Sequence, residues 1–325
     1  MKNKYLDINF DELHATREAF GQTLIELADE GLPVFAVDAD LSGSTTTKKF
    51  GEKYPNRFVN CGIAEQNMID IASGLSLDGN IVYTGSFAMF GVGRCYEQIR
   101  NTVCYSNLNV KISPTHSGIS VGPDGGSHQM IEDLALMSVI PNMRVLCPCD
   151  KNSCASALRL AAAELGPFYT RMGRAKVAQV YNENVELELG GSNILREGSD
   201  CTIVACGVEV SQALKSAERL ATEGIECTVV DAYCIKPLDE KTILECIEKT
   251  SGRVVVCEEH SIYGGLCEHV ARLLAEKLPT KAEFVAIKDR FGTSGEMDEL
   301  FCEYGIDSTS IDVAVKREIE SVSLL

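Results

Sequence analysis

The sequence reads as an α/β protein built in two units, each a mostly parallel sheet with helices on both faces. Two observations carry that reading. Short continuous apolar runs, rich in Val, Ile and Cys, alternate with longer segments of helical period. That is the pattern of buried parallel strands joined by crossover helices. The alternation lapses between about residues 175 and 199 and then resumes, and a chain of 325 residues is long enough for two domains. We place the first unit at residues 1–180, a linker at 181–198 and a smaller second unit at 199–325.

Taken in order, Asp11 reads as an N-cap, and Leu13, Phe20, Leu24 and Leu27 form a helical stripe ending at Gly31. Arg17 falls in that stripe. A cation on a buried face needs an anion, either a structural carboxylate or a ligand in a cleft. Val34-Phe35-Ala36-Val37 is the first strand, and the segment from Asp38 through Asp40 to Ser44 fills the loop where α/β folds bind ligands. Arg57-Phe58-Val59 then leads into Asn60-Cys61-Gly62-Ile63-Ala64-Glu65-Gln66-Asn67-Met68. That stretch opens a helix whose apolar face carries Met68, Ile69, Ala72 and Leu75, and Glu65 shares the face. A carboxylate there must find a partner or stay protonated. An acid in a first turn also answers the helix dipole, so a capping role and a catalytic one are both open at this point.

A strand over Asn80–Thr84 precedes Phe87-Ala88-Met89-Phe90, two phenylalanines that suit either core or an apolar slot for a flat ring. A helix over about 94–103 and a strand over 109–112 lead to a long glycine-rich loop. It carries His116, Asp124 and His128, and long ordered loops are commonly functional. The two histidines are too far apart for a metal pair, and Asp124-Gly125 also suits a plain turn. A helix over 131–138, a strand over 144–146, a helix capped by Asp150 and ending near Gly166, and a strand over 168–170 complete the unit. Arg171 follows that strand, a cation either on the surface or at a cleft. Residues 186–191 look hairpin-like within the linker. The second unit has strands at 201–205, 227–230 and 254–257, and its Gly264-Gly265 belongs to no phosphate loop or dinucleotide fingerprint.

The net charge of −17, from 30 Lys and Arg against 47 Asp and Glu, argues against binding a nucleic-acid backbone. No segment approaches the roughly 18 apolar residues of a membrane span. Met1–Asp7 has no apolar run after its lysines and is not a signal peptide. The 14 cysteines lie scattered in apolar segments without metal spacing, as small buried residues of a reducing cytoplasm would.

In this order, Asp40-Leu41-Ser42-Gly43-Ser44, Gly62-Ile63-Ala64-Glu65-Gln66, Phe87-Ala88-Met89-Phe90, His116, Asp124 to Gln129 and Arg171 resemble transketolase. The likeness is to its pyrimidine-binding domain followed by its C-terminal domain. It implies the thiamine-diphosphate-binding fold and a two-carbon ketol transfer between sugar phosphates. Glu65 resembles the acid that hydrogen-bonds the cofactor's aminopyrimidine and promotes ylide formation; a protonated carboxyl suits that work. The resemblance makes Phe87 and Phe90 the ring pocket and sets Asp40 beside the cofactor. It puts His128 near the pyrimidine amino group and the covalent intermediate, so Glu65 and His128 are the implied catalytic pair. Arg17, Ser44, His116 and Arg171 resemble the residues that grip the sugar phosphate, and Asp124 the one that contacts a substrate hydroxyl.

Two departures stand out. Gly93 replaces a third aromatic that many relatives carry, a gap that Tyr96 can partly fill. The family's other half, whose Gly-Asp-Gly motif binds the diphosphate through Mg²⁺ or Ca²⁺, has no counterpart in this sequence, so no metal ligand is assigned here. The resemblance therefore implies the C-terminal subunit of a split transketolase, completed by an N-terminal subunit in a heterotetramer. The β chains of 2-oxo acid dehydrogenases and deoxyxylulose phosphate synthase share the layout. A substrate without phosphate gives the arginines no common task, and the synthase normally carries both halves.

Overall fold

The computed structural model describes residues 4–322, with side-chain surroundings through residue 320. The outer ends of the two assigned units, and the start of the Met1–Asp7 reading, lie outside the described residues. The strands are β1 Leu6–Ala15, β2 Val34–Asp38, β3 Phe58–Asn60, β4 Ile81–Gly85, β5 Val110–Ile112, β6 Arg144–Leu146, β7 Phe168–Thr170 and β8 Lys176–Tyr181. They continue with β9 Asn193–Arg196, β10 Cys201–Ala205, β11 Cys227–Asp231, β12 Cys234–Lys236, β13 Val254–Ser261 and β14 Glu283–Ile287.

A seven-stranded sheet runs β12-β6-β7-β5-β4-β2-β3, parallel except where β12 pairs with β6. A five-stranded sheet runs β14-β13-β10-β11-β9, parallel except at β9. Strand alternation explains the two faces of the first sheet. Val34 and Ala36 of β2 and Ile81 and Tyr83 of β4 pack with Phe20, Leu24 and Leu27 of the helix Phe20–Asp29. Val37 and Val82 point the other way, onto Met68, Ile69 and Ala72 of the helix Glu65–Ser76. Each such buried Val, Leu, Ile, Phe or Met side chain contributes about 1.5–3 kcal/mol. The second face is continuous with Val204, Val230 and Val256 of the second sheet, so the two units share one core.

Three readings change. Asp11 and Leu13 do not open a helix: they lie in β1, which pairs antiparallel with β8. Leu6, Ile8 and Phe10 alternate with polar residues, which is strand period, and the helix begins only after a 3₁₀ turn at Thr16–Ala19. The second change is at residues 176–181, read as a break, which form β8, the partner of β1. The third is residues 186–191, which form no hairpin. In addition, β9 lies within the stretch read as linker, and β12, from the second half of the chain, completes the first sheet. The cysteines are free and, apart from Cys61 and Cys302, buried. Among the described residues no helix is long and apolar enough to cross a membrane.

Candidate active site

After β2 the chain first adds β3 on one side, then crosses to β4 on the other and continues outward. The loops after β2 and β4 thus diverge, and α/β sheets open a crevice at such a reversal. The candidate residues converge there. Asp40 and Ser44 follow β2, Glu65 follows β3, Phe87 and Phe90 follow β4, and His116 follows β5. The last two loops are joined: the Ala88 N–H donates to the Thr115 carbonyl at 2.8 Å and the Thr115 N–H to the Ser86 carbonyl at 2.9 Å.

Glu65 is the first residue of its helix and only 6% exposed. The turn before it is set by Gly62 at φ +71°, a conformation that suits glycine. One Glu65 oxygen accepts from Arg94 Nη1 at 2.9 Å, and the other has no hydrogen-bond partner among the described residues. The Arg94 guanidinium also lies 4.3 Å from the centre of the Phe90 ring. Phe90 and Phe87 stack at 5.9 Å, and the His128 ring meets Phe90 edge-on at 5.3 Å. His128 Nδ1 is bonded to the Ser127 hydroxyl at 3.0 Å, which leaves Nε2 without a partner among the described residues.

Phe87 also stacks on His116, with ring centres 3.7 Å apart, and this contact links the ring pocket to a cationic cluster. Arg17 donates to the Ser44 carbonyl at 2.9 Å and lies 3.5 Å from His116 Nε2. Arginine only donates, so Nε2 accepts and the proton sits on Nδ1, which contacts the Thr115 hydroxyl at 2.7 Å. Burial first, then the charges on Arg17 and Arg174, push the His116 pKa down to about 3. His116 holds a left-handed backbone at φ 61°, strain of the kind that clusters at functional sites.

Asp124 lies on the rim, 3.3 Å from Arg174 Nη1. Asp40, at φ 63°, is exposed and bonded to Asn60 at 3.4 Å through Nδ2 and at 3.2 Å through its own N–H. Arg171 does not stand as a free cation at the cleft. It is 5% exposed, its Nε donates to Asp133 at 2.7 Å, and Nη1 and Nη2 donate to the Glu259 carboxylate and carbonyl at 3.3 and 2.9 Å. Burial opposes its charge, but Asp133 and Glu259 outweigh burial and hold its pKa above the ordinary value. Sequence reasoning also passed over Arg94, Arg174 and Glu259. Arg174 offered one signal, a second cation in the loop after β7.

A parallel sheet with a buried carboxylate, an aromatic slot and an arginine–imidazole cluster at its carboxyl edge defines a protein of the thiamine-diphosphate-binding fold. The family pattern described as transketolase, pyrimidine binding domain, matches residues 13–179, and that of the transketolase C-terminal domain matches residues 190–311. The chain belongs to the transketolase family. It is 46% identical over 307 residues to a Methanocaldococcus jannaschii protein provisionally named transketolase C-terminal section, covering 94% of this chain and 96% of that one. It is 36% identical over 309 residues to a 6-deoxy-6-sulfo-D-fructose transketolase subunit of a Clostridium species, covering 95% of each. A solved structure described as a split gene transketolase, inactive beta4 tetramer, superposes with a TM-score of 0.86 at 42% identity, over 94% of this chain and 98% of that one.

Proposed function

We propose that this chain is the C-terminal subunit of a two-chain, thiamine-diphosphate-dependent transketolase that moves a two-carbon ketol unit from a ketose phosphate to an aldose phosphate. The observation that supports it most is one contiguous wall, from Glu65 and Arg94 through Phe90 and Phe87 to His116, Arg17 and Ser44. One end suits a flat nitrogen heterocycle and the other an oxyanion. The fit to the ring rests on Glu65, a nearly buried carboxylate beside an aromatic face with one oxygen unengaged. A sugar phosphate gives the cationic end a task that a 2-oxo acid does not.

When bound, thiamine diphosphate supplies the nucleophilic carbon that takes up the two-carbon unit. The residues of this chain hold and orient. Glu65 shares a proton with a ring nitrogen, in place of its present contact to Arg94. Phe87 and Phe90 would hold the ring by its face and shed water from it, with Asp40 on the rim. His128 Nε2 is available to the ring amino group and to oxygens of the transferring unit. Arg17 and Ser44 would take the terminal phosphate, His116 would join them by moving its proton to Nε2 as Arg17 turns to the anion, and Asp124 would take a substrate hydroxyl. The diphosphate and its Mg²⁺ or Ca²⁺ fall to the N-terminal partner subunit, in a cytoplasmic heterotetramer in which this chain also contacts its own copy. Pentose phosphates are the first substrates to assay. The relative named for a sulfonated ketose adds a second kind of terminal anion for the same cluster.

Glu65→Gln keeps the shape of the side chain but cannot share the proton. In the reconstituted enzyme it is expected to lower kcat by at least about 10²-fold, the usual loss for an acid–base group, with an unchanged melting curve. Activity above about a tenth of wild type would contradict the assignment.

A further inference from the structure

Arg94 touches both groups that the reading above gives to the cofactor ring. Its Nη1 donates to Glu65 at 2.9 Å, and its guanidinium lies 4.3 Å from the centre of the Phe90 ring. A guanidinium is flat, carries N–H donors along its edge and stacks on aromatic faces. An aminopyrimidine has the same three properties, so the two compete for one carboxyl and one ring face. The segment before Arg94 sets its aim. Met89–Gly93 is a π-helical turn, a feature common at functional sites. With no side chain at Gly93, the position that is aromatic in many relatives, the guanidinium of the next residue meets Phe90 instead. Gln66 Nε2 donates to the Arg94 carbonyl at 3.1 Å and ties this backbone to the Glu65 helix, so release needs only rotation of the side chain.

The partners differ in what separation costs them. The Arg94 side chain is 53% exposed and that of Glu65 is 7% exposed. The guanidinium can return to water, whereas a buried carboxyl that loses its cation is driven to the neutral form. The other titratable groups close to Glu65 are the thiols of Cys61, in the loop before its helix, and Cys95. Burial raises the pKa of both, Cys95 to about 12, and the Glu65 charge adds to the rise. Asp38, whose charge also reaches Cys61, is turned to Leu41, Thr45 and Thr47. His128 stands beyond Phe90. Arg94 is thus the cation that holds Glu65 as a carboxylate.

We propose that Arg94 is a positioning residue for Glu65: it keeps that side chain ionised beside Phe90 until the cofactor's aminopyrimidine takes both contacts, and Glu65 gains a proton from solvent as Arg94 leaves. This rests on the reading of Glu65 and Phe90 as ring contacts. One proton enters and ends shared between Glu65 and the ring nitrogen, and no other bond forms or breaks. Cofactor binding is then linked to proton uptake.

The test is calorimetric titration of the reconstituted, cofactor-stripped enzyme with thiamine diphosphate in the presence of Mg²⁺. Running it at neutral pH in buffers of different ionisation enthalpy counts the protons taken up. The wild type is expected to gain about one proton per site. Arg94→Met leaves Glu65 neutral beforehand, so uptake should fall toward zero. Its affinity should rise about 2–5-fold, the scale of a half-exposed ion pair. Arg94→Lys keeps the charge and should keep most of the uptake. Uptake that is equal in wild type and Arg94→Met, or absent from the wild type, overturns the role of Arg94, as does weaker binding by Arg94→Met. Each of these leaves the ring-contact reading standing. A Glu65→Gln enzyme with wild-type affinity and uptake overturns that reading as well.

Discussion

His116 is neutral because it is buried beside two arginines, and the sign of that effect fixes a pH dependence. Its unfolded pKa is about 6.5, and in the fold it is about 3. Between those values the unfolded chain binds the extra proton, so the contribution to stability is complete above pH 6.5 and fades as pH falls toward 3. We expect the wild-type melting temperature to drop on acidification from pH 7 to pH 4.5 more steeply than that of His116→Gln. Equal slopes would mean that the imidazole is not held neutral. Residue placement was legible in the sequence where position follows motif: Arg17, Ser44 and His116 do converge. Arg171 was not legible, because its fate depends on Asp133 and Glu259, which lie 38 and 88 residues away. The position of Arg174 was not legible either, since what places its loop is the tie between Gly173 and Thr16.

The element that most shapes the site is the loop carrying His116, Asp124 and His128, and the second unit holds it in place. Glu259, at the end of β13, accepts the Ser120 N–H at 2.6 Å. Gln129 donates to Thr293 in the second unit at 2.8 Å as well as to Ile119 at 3.1 Å within the loop. Gly118 sits at φ +79°, and a Cβ there would lie 2.2 Å from the Glu259 carboxylate. Gly118→Ala must therefore strain the backbone and push Glu259 off both Ser120 and Arg171. The backbone alone costs about 1–3 kcal/mol, since Gly118, with ψ −178°, holds a conformation that glycine alone ordinarily adopts. Disturbing a buried ion pair adds to that, since removing one partner outright costs about 3–5 kcal/mol. We expect a lower denaturation midpoint and similar losses of kcat/KM on phosphorylated and unphosphorylated sugars. Gly74→Ala, in a helix with nothing within 4 Å of the new Cβ, should be neutral or stabilising. A Gly118→Ala enzyme as stable as wild type would show that the clamp yields freely. Most parallel strands could be read from their apolar runs, which need no knowledge of a partner. β1 and β8 are partly exposed, and each makes sense only beside the other, with nearly half the chain between them. β12 is three residues long and belongs to a sheet formed by the other half of the chain, so nothing local marks it.

At the scale of the whole molecule, the site is a wall that faces outward. Phe90 is partly exposed, Arg94 is exposed, and Ile63, two residues before the buried Glu65, is 79% exposed. A large apolar residue at the mouth of a site favours burial, and here a second surface would provide it. A cofactor held by its ring against this wall still carries a charged diphosphate, which needs hard oxygen ligands around a cation and a cradle of N–H donors. In our reading a partner subunit brings those groups and covers Ile63 in the same step. Cofactor binding and subunit association are then coupled, each strengthening the other. The isolated chain is expected to self-associate, bind thiamine diphosphate weakly and show no turnover of xylulose 5-phosphate with ribose 5-phosphate. Adding the N-terminal subunit should restore tight binding and activity together, rising to a plateau at a one-to-one ratio. Ile63→Asp should leave the isolated chain folded, since the side chain is already in water, and should shift that titration to higher partner concentration. Turnover by the chain alone, with only the cofactor and Mg²⁺ added, would refute the two-chain reading. A titration unaffected by Ile63→Asp would place the partner on another face.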